Sequence, residues 1–234
     1  MVSARSRFVS DELRSLADPA AAAGMAAYMK TDMPFYGVKK PQRELVLREM
    51  TRRFPVAGRD DHVAGVLELW SMPHREEKYL AIALARSDDR FVDLDSVALY
   101  RRLVIEGAWW DFVDDVAVHL VGRVHRADRD RMTPILDAWV DDPVMWLRRT
   151  AIIAQLGHGA DTDADRLFDY CLRRAAEKEF FIRKAIGWAL RQYARTDPGA
   201  VRAFVLSHRQ AWSALTFREA TKHLDLVAGA DGAS

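Results

Sequence analysis

The 234-residue sequence contains one cysteine and no long apolar run, and both absences exclude classes of protein. The lone Cys171 cannot form an internal disulfide, and no cysteine pair has the spacing of metal ligands, which indicates a reducing, cytoplasmic setting. No segment approaches about 18 consecutive apolar residues, so no membrane span is predicted. The polar segment Ser10–Arg14 stands where a secretory signal would have an apolar stretch.

Sequence motifs of cofactor and metal chemistry are also missing. The chain has neither a phosphate-binding glycine loop nor a dinucleotide-binding glycine motif. Its seven histidines show no zinc-protease arrangement, and no cluster of residues suits an iron-binding triad. We therefore expect neither a metal nor a cofactor. Cys171 lies in an amphipathic segment and is expected in the core.

Charge is nearly balanced over the whole chain but uneven along it. The 35 Lys and Arg residues face 34 Asp and Glu residues, which gives a net charge of +1. Residues 171–223 contain eleven basic and four acidic residues, so this segment carries +7 and the remainder −6. The asymmetry predicts a local basic surface for an anionic partner, although a solvated basic helix face gives the same pattern. Most basic residues are Arg, which suits phosphate recognition, but a GC-rich genome produces the same bias.

Hydrophobic periodicity predicts an all-α protein. Apolar residues recur at the i, i+3, i+4, i+7 spacing in segment after segment, with Pro and Gly mostly between the segments. A capping carboxylate precedes a first-turn proline at three predicted starts, Asp18-Pro19, Asp142-Pro143 and Asp197-Pro198. The predicted helices cover residues 10–17, 19–31, 41–53, 62–71, 74–87, 94–105, 109–122, 128–140, 143–156, 163–176, 179–194, 198–207 and 215–226.

The helices form a repeat with a period near 35 residues. In five aligned segments one polar residue precedes an apolar run, and these residues are Lys78, Asp114, Arg149, Lys184 and Glu219. Their successive spacings are 36, 35, 35 and 35 residues, which is typical of stacked HEAT-like helical hairpins. Because equivalent positions in such a stack line up, we expect these side chains to form a polar row along the inner face.

Two interpretations of this row are open. Polar residues at equivalent positions can simply begin each inner helix. Alternatively the row is functional, because it sets a carboxylate between basic residues and lies near tryptophans at positions 109, 110, 146 and 188. Tryptophan is usually a core residue, but four of them near one charged row favour the functional interpretation.

These segments resemble the DNA alkylation repair glycosylases built from HEAT-like repeats, the AlkD-like family. The resemblance extends from about Tyr28 to Leu224 and is carried by WWDFVD at 109–114, WLRRTAI at 146–152, FFIRKAIGWALRQY at 180–193, FYGVKKPQR at 35–43 and LTFREA at 215–220. It implies an all-α, right-handed solenoid of stacked HEAT-like hairpins with a concave DNA-binding face. We expect one such domain over residues 1–226 and a flexible tail over 227–234.

The resemblance also assigns site residues. The family's catalytic aspartate, its arginine partner and its two site tryptophans fall on Asp114, Arg149, Trp110 and Trp188. The further candidates for substrate binding are Tyr28, Trp109 and Phe180. The candidates for contact with the DNA backbone are Lys39, Arg148, Arg183, Lys184, Arg191 and Lys222, with Arg148 expected mainly on the solvated surface.

Two positions depart from the family pattern. Phe112 stands where a small hydroxyl residue is expected, which could alter packing beside Asp114. Lys39 stands where members carry a different polar residue, which could change the DNA atoms that are contacted. Neither departure removes the core set of site residues.

The implied reaction is removal of a damaged base. An N3- or N7-alkylated purine is cationic, so its glycosidic bond is weak and the leaving base needs no protonation. What remains is to stabilise the oxocarbenium-like sugar and to deliver water to its anomeric carbon. A carboxylate about 4 Å from that cation contributes roughly 4 kcal/mol at an effective dielectric near 20, or about 10³ in rate. Asp114 suits this role, and indole faces at Trp110 and Trp188 suit the cationic sugar and base.

The resemblance thus predicts a monofunctional glycosylase that acts as a monomer on double-stranded DNA containing alkylated bases. It would be cytoplasmic, and nucleoid-associated when bound to DNA. The alternative is a non-catalytic scaffold for nucleic acid or protein, because HEAT-like arrays commonly serve as scaffolds and a fold does not fix a function. The two hypotheses differ in one observable, since only the enzyme releases free base from alkylated DNA.

Overall fold

The computed structural model describes residues 3–226, which form helices and turns and contain no strand. The all-α prediction is therefore confirmed. The chain separates into two compact units, Met1–Val92 and Asp93–Ser234. The single domain expected from the sequence stays a prediction, and the tail expected at 227–234 lies outside the described residues. No helix within residues 3–226 has both the length and the apolar character that crossing a membrane requires.

The first unit is built around two closely packed helices, α4 and α5. Its helices are α1 (Ala4–Ser15), α2 (Pro19–Met29), α3 (Lys40–Arg53), α4 (Arg59–Ser71) and α5 (Arg75–Ala85). Leu69 on α4 and Leu80 and Leu84 on α5 are almost completely buried. Helix α2 is different, because this alanine-rich helix has no buried residue.

The second unit contains the helices that carry most of the polar row. Its helices are α6 (Val97–Gly107), α7 (Trp110–Val116), α8 (Gly122–Ala127), α9 (Arg129–Trp139), α10 (Met145–Ile153), α11 (Ala164–Arg173), α12 (Phe180–Tyr193), α13 (Pro198–Ser207) and α14 (Ala214–Ala220). A π-helical turn, Ala117–Val121, joins α7 to α8 without a break.

The second unit has a regular repeat. Helices α7, α10, α12 and α14 pack side by side and begin at Trp110, Met145, Phe180 and Ala214, at intervals of 35, 35 and 34 residues. Helices α9, α11 and α13 pack against members of this series and form a second layer. The period near 35 residues that the sequence predicts is therefore confirmed in the spacing of these helices.

Two glycines permit close contact between neighbouring repeats. A Cβ atom on Gly122 would lie 2.1 Å from the carbonyl oxygen of Ala154, and one on Gly187 would lie 2.4 Å from Cβ of Glu219. Any larger residue at either position would force the two helices apart. At the first contact, Nε2 of His158 lies 2.9 Å from the carbonyl oxygen of Gly122.

Most predicted helix starts agree with the structure. The carboxylate of Asp18 accepts hydrogen bonds from the first backbone N–H groups of α2, and Asp197 caps α13 in the same way. Asp142 instead accepts from the backbone N–H of Val144 at 2.8 Å, and α10 begins only at Met145. This carboxylate therefore closes a turn before the helix and does not cap its first residue.

The predicted bounds that differ most from the structure are at three helices. Helix α1 begins at Ala4 and not at residue 10, because the Ser3 hydroxyl caps it by accepting from the backbone N–H of Ser6 at 3.1 Å. The helix predicted over 109–122 continues to Ala127, because the π-helical turn extends it. Helix α14 ends at Ala220 and not at residue 226, and turns follow it.

Candidate active site

The centre of the candidate site is an ion pair between Asp114 and Arg149. The guanidinium donates from Nε to Oδ1 at 2.7 Å and from Nη2 to Oδ2 at 2.8 Å, so the contact is bidentate. The exposed fractions are 15% for the Asp114 side chain and 5% for the Arg149 side chain. Bidentate, charge-assisted contacts of this kind restrict both partners strongly. The carboxylate is therefore held in one orientation near the protein surface.

Arg149 also connects this pair to the next repeat. Its Nη1 donates to the carbonyl oxygen of Phe181 at 2.5 Å. One side chain on α10 thus binds a carboxylate on α7 and a backbone carbonyl in the first turn of α12. This carbonyl contact was not predicted, because a backbone acceptor leaves no residue-specific mark in a sequence.

The surroundings of Asp114 act on its pKa in opposite directions. Burial raises the pKa of the Asp114 carboxyl above its ordinary value, because the charged form loses contact with water. The Arg149 guanidinium lowers this pKa, while the nearby Asp111 carboxylate raises it further. Burial is the largest of these effects, so Asp114 is a weaker acid than an exposed aspartate.

An aromatic cluster lies beside the pair. The rings of Trp109, Trp146 and Phe181 are in mutual contact, with centroid distances of 5.0–6.3 Å. The guanidinium carbon of Arg149 lies 5.9 Å from the centroid of the Phe181 ring. Trp146 is buried, and the indole Nε1 of Trp109 is buried with no hydrogen-bond partner in the described part of the chain. This cluster supports the charged pair from one side.

Phe180 is presented to solvent by the same cluster. Its side chain is 55% exposed, and its ring packs edge-on against Phe181 at a centroid distance of 5.4 Å. A large exposed aromatic ring beside a fixed charged pair is available for stacking on a ligand. Phe180 was a candidate on sequence grounds, whereas Phe181 and Trp146 were not assigned a role.

The two predicted site tryptophans lie on different helices of the second unit, and both are half-buried. Trp110 begins α7, four residues before Asp114, so the two share one face of that helix. Trp188 lies on α12, one turn after Lys184. Within residues 3–226 no aromatic ring packs against Trp188. Phe112, which stands where the family pattern has a small hydroxyl residue, is completely buried.

A second carboxylate in the row is bound by two cations. Glu219 accepts a hydrogen bond from Nζ of Lys184 at 2.9 Å through Oε1, and it accepts another from Nη1 of Arg191 through Oε2. These hydrogen bonds lower the pKa of the Glu219 carboxyl below its ordinary value. Lys184 and Glu219 are 35 residues apart, as are Asp114 and Arg149. The predicted alignment of row positions is therefore confirmed for these two pairs, and a continuous row along an inner face stays a prediction.

Arg148 does not lie on solvated surface, and that expectation is wrong. Its guanidinium pairs with the carboxylate of Glu177 and donates to the carbonyl oxygens of Asp142 and Pro143, and only 13% of the side chain is exposed. Arg183 also contacts Glu177, through a hydrogen bond from Nε to its carbonyl oxygen at 3.0 Å. Glu177 therefore connects α10 to α12, a role that the sequence did not suggest.

The remaining candidates are exposed basic or aromatic residues. Lys222 is exposed in the turns after α14. In the first unit, Tyr28 is 72% exposed on α2, and Lys39 is exposed at the start of α3. Lys78, the first row position, donates to the carbonyl oxygens of Trp70 and Met72 at the end of α4. The expected alignment of Lys78 with the rest of the row stays a prediction.

The described residues contain no group of three or more His, Cys, Asp or Glu side chains that could hold a metal ion. Cys171 is completely buried, as expected, and burial raises the pKa of its thiol. A buried thiol of this kind is a poor nucleophile.

Comparison with known proteins gives a family and related structures. The sequence profile of the family described as DNA alkylation repair enzyme matches residues 9–224. A solved structure described as a predicted DNA alkylation repair enzyme from Enterococcus faecalis is 29% identical with a TM-score of 0.82, covering 89% of this chain and 96% of that one. No curated protein matches the chain.

Two further solved structures share the fold at low identity. The protein smu.31 from Streptococcus mutans UA159 is 16% identical with a TM-score of 0.59, covering 78% of this chain and 95% of that one. AlkD2 from Streptococcus mutans is 14% identical with a TM-score of 0.61, covering 87% and 99%.

Fold and site together define a helical-repeat protein with a largely buried carboxylate–guanidinium pair beside an aromatic cluster that presents one exposed ring, Phe180. The profile match over most of the length shows that the chain belongs to the DNA alkylation repair enzyme family. Its functional class is therefore the repair of alkylated DNA. The handedness of the solenoid and its concave DNA-binding face stay predictions.

Proposed function

We propose that the chain is a monofunctional DNA glycosylase that releases cationic N3- and N7-alkylated purines from double-stranded DNA. The main supporting observation is the bidentate Asp114–Arg149 pair, which fixes a carboxylate at the edge of an aromatic cluster. A structural ion pair needs neither the exposed Phe180 nor the half-buried Trp110 on its flank. A site for a cationic ligand uses both a fixed carboxylate and accessible aromatic rings.

Asp114 acts on the sugar in this mechanism. The bond between C1′ and the purine nitrogen breaks, and its electron pair passes to the base and neutralises the positive charge there. Each carboxylate oxygen has two lone pairs, and Arg149 occupies one on each, so one remains on each oxygen. These lone pairs face the oxocarbenium-like sugar and a water molecule. Water adds to C1′ and its proton passes to the carboxylate, which leaves an abasic sugar and a neutral free base.

Arg149 keeps this carboxylate charged and in place. Burial alone favours the protonated acid, which would neither stabilise a cation nor accept a proton. The guanidinium opposes that effect and fixes the direction of both oxygens. A carboxylate held in this way needs no reorganisation as charge develops on the sugar, which is the main requirement for electrostatic catalysis.

The aromatic and basic candidates hold the substrate. Trp110, Trp188 and Phe180 supply ring faces for the cationic base, the sugar and neighbouring bases, with Trp109 supporting them from within the cluster. Tyr28, in the first unit, is a separate candidate for substrate binding. The proposed contacts with the DNA backbone are Lys39, Arg183, Lys184, Arg191 and Lys222, which position DNA without reading its sequence. Arg148 is omitted because its donors are already used within the protein. The enzyme is expected to act as a monomer in the cytoplasm.

The test is release of free base from duplex DNA treated with a methylating agent, with the products identified by mass spectrometry. We expect methylated purines and the matching abasic sites from treated DNA, and neither product from untreated DNA. Binding of both DNAs without any release would contradict the glycosylase proposal and support the scaffold hypothesis. Release that depends on added metal or cofactor would contradict the mechanism.

A further inference from the structure

Lys184 and Arg191 converge on one point, and the carboxylate of Glu219 lies between them. Each Glu219 oxygen accepts a hydrogen bond from one of the two cations. The Glu219 side chain is only 17% exposed, whereas 40% of the Lys184 side chain faces solvent. The two cations thus converge on one carboxylate at the surface of the second unit.

The position of this carboxylate is set by the packing of two helices. Gly187 lies between Lys184 and Arg191 on α12, and a Cβ atom there would be 2.4 Å from Cβ of Glu219 and 3.1 Å from the carbonyl oxygen of Thr216. The absence of a side chain at Gly187 lets α14 approach closely enough for Glu219 to reach both cations. Because its stem is held against the α12 backbone, the carboxylate has little freedom to withdraw when an anionic ligand arrives.

We propose that Glu219 is an internal substitute for a DNA phosphate. Its carboxylate occupies the place between Lys184 and Arg191 where a phosphate would bind, and it thereby limits the affinity of the protein for undamaged DNA. This inference rests on the proposed function in one respect, namely that double-stranded DNA is the ligand. According to this inference Glu219 weakens the binding of DNA, although Glu219 lies among basic residues that favour binding.

The physical reason lies in charge and geometry. A carboxylate and a phosphate diester each carry one negative charge and accept hydrogen bonds from the same donors. With Glu219 present, the three side chains carry a net charge of +1, and without it they would carry +2. Affinity for DNA depends on how many phosphates a protein neutralises, and each one contributes about 0.9 to the slope of log K against log salt. Weak binding to intact duplex suits a protein that must leave undamaged sites quickly.

The variant that tests this is Glu219→Gln, which removes the charge and keeps the stem that packs against Gly187. Binding of an unmodified fluorescent duplex is measured by anisotropy at several salt concentrations. We expect about three- to tenfold tighter binding near 0.1 M salt and a salt slope steeper by about one. Adding Lys184→Gln to this variant should reverse the gain. Glu219→Met keeps the same stem and replaces Glu219→Gln if that variant does not fold.

Asp169→Asn is the matched control. It makes the same change in net charge on α11, in the other helix layer, where Asp169 is 53% exposed and pairs with Arg173. We expect its affinity for DNA to stay within about twofold of wild type, because exposed charges beyond a Debye length are largely screened. An equal gain in both variants would overturn the inference, since net charge alone would then explain it.

The remaining outcomes are also decisive. Unchanged affinity in Glu219→Gln overturns the inference, and weaker affinity shows instead that Glu219 orients the two cations for DNA. Release of free base by the wild-type protein, together with either result, leaves the proposed glycosylase intact. Absence of DNA binding by wild type and variant alike, even at low salt, overturns both proposals.

Discussion

The pairs Asp114–Arg149 and Lys184–Glu219 occupy equivalent positions two repeats apart, yet their carboxylates lie in opposite electrostatic settings. Asp114 is bound by one guanidinium and largely buried, and burial raises its pKa. The Glu219 side chain is almost equally covered, but it is bound by two cations that are more exposed than Arg149, and these cations lower its pKa.

This difference shows how one repeat position serves two purposes. The repeat brings residues 35 positions apart into contact, and it does so at both pairs. The pairs differ in the number of cations around each carboxylate and in how far those cations are exposed to solvent. A deep pair beside aromatic rings suits chemistry on a cationic sugar, whereas a carboxylate between two more exposed cations suits control of DNA binding.

The largest expected difference between the pairs is in stability. Arg149→Met leaves the Asp114 carboxylate buried without its cation, which should reduce the free energy of unfolding by about 3–5 kcal/mol. Lys184→Met breaks a more exposed pair, and Glu219 keeps Arg191, so the expected loss is below about 1 kcal/mol. Urea denaturation of the two variants measures this directly. Equal losses would mean that the two pairs do not differ in burial as described.

Close packing at the second pair can be tested at Gly187. Gly187→Ala places a methyl group against Glu219, and we expect a loss of about 1–3 kcal/mol in the free energy of unfolding. Gly24→Ala in helix α2 is the matched control, because nothing lies within 4 Å of a Cβ atom there. That control should raise stability by up to about 1 kcal/mol, since alanine favours helix. A stable Gly187→Ala variant would contradict the close approach of α12 and α14.

The pH dependence of base release should reflect Asp114 and not Glu219. The reaction needs the Asp114 carboxylate, so the rate should fall about tenfold per pH unit below its pKa. Because burial raises this pKa, the fall should begin at a higher pH than for an exposed aspartate. Above the pKa the rate should be level. The measurement is a single-turnover rate profile, corrected for base lost without enzyme. A level rate down to the range of an ordinary aspartate would contradict the assignment.

The smallest expected effect is at Trp188. Trp188→Ala removes one half-buried indole face, and at such a site cation–π attraction is worth about 0.5–1 kcal/mol. Release should therefore slow by about two- to fivefold. A loss as large as that from a change at Asp114 would give Trp188 a direct part in the chemistry.

Much of the helical repeat can be predicted from local features. Apolar periodicity and the carboxylates Asp18 and Asp197 locate helices, because capping and amphipathic packing act within a few residues. The spacing of 35 residues aligns Asp114 with Arg149 and Lys184 with Glu219, and both alignments are hydrogen-bonded ion pairs in the structure.

The contacts that give each pair its character could not be predicted in the same way. The carbonyl of Phe181 and the carboxylate of Glu177 reach their arginines only because two helices lie at particular distances. Hydrophobic spacing also does not specify the π-helical turn Ala117–Val121 that follows α7. Arg148 was wrongly expected on the solvated surface because two adjacent arginines on one helix look alike in the sequence until their neighbours in the fold are known.

The most direct test of the central claim compares Asp114→Asn with Asp115→Asn in single-turnover release of methylated purines. Both variants remove one carboxylate from the same helix, and DNA binding and helix content serve as checks on folding. We predict that Asp114→Asn slows release by about 10³ while binding is retained, and that Asp115→Asn stays close to wild type. Comparable release by the two variants would contradict the claim that the Asp114 carboxylate stabilises the departing sugar.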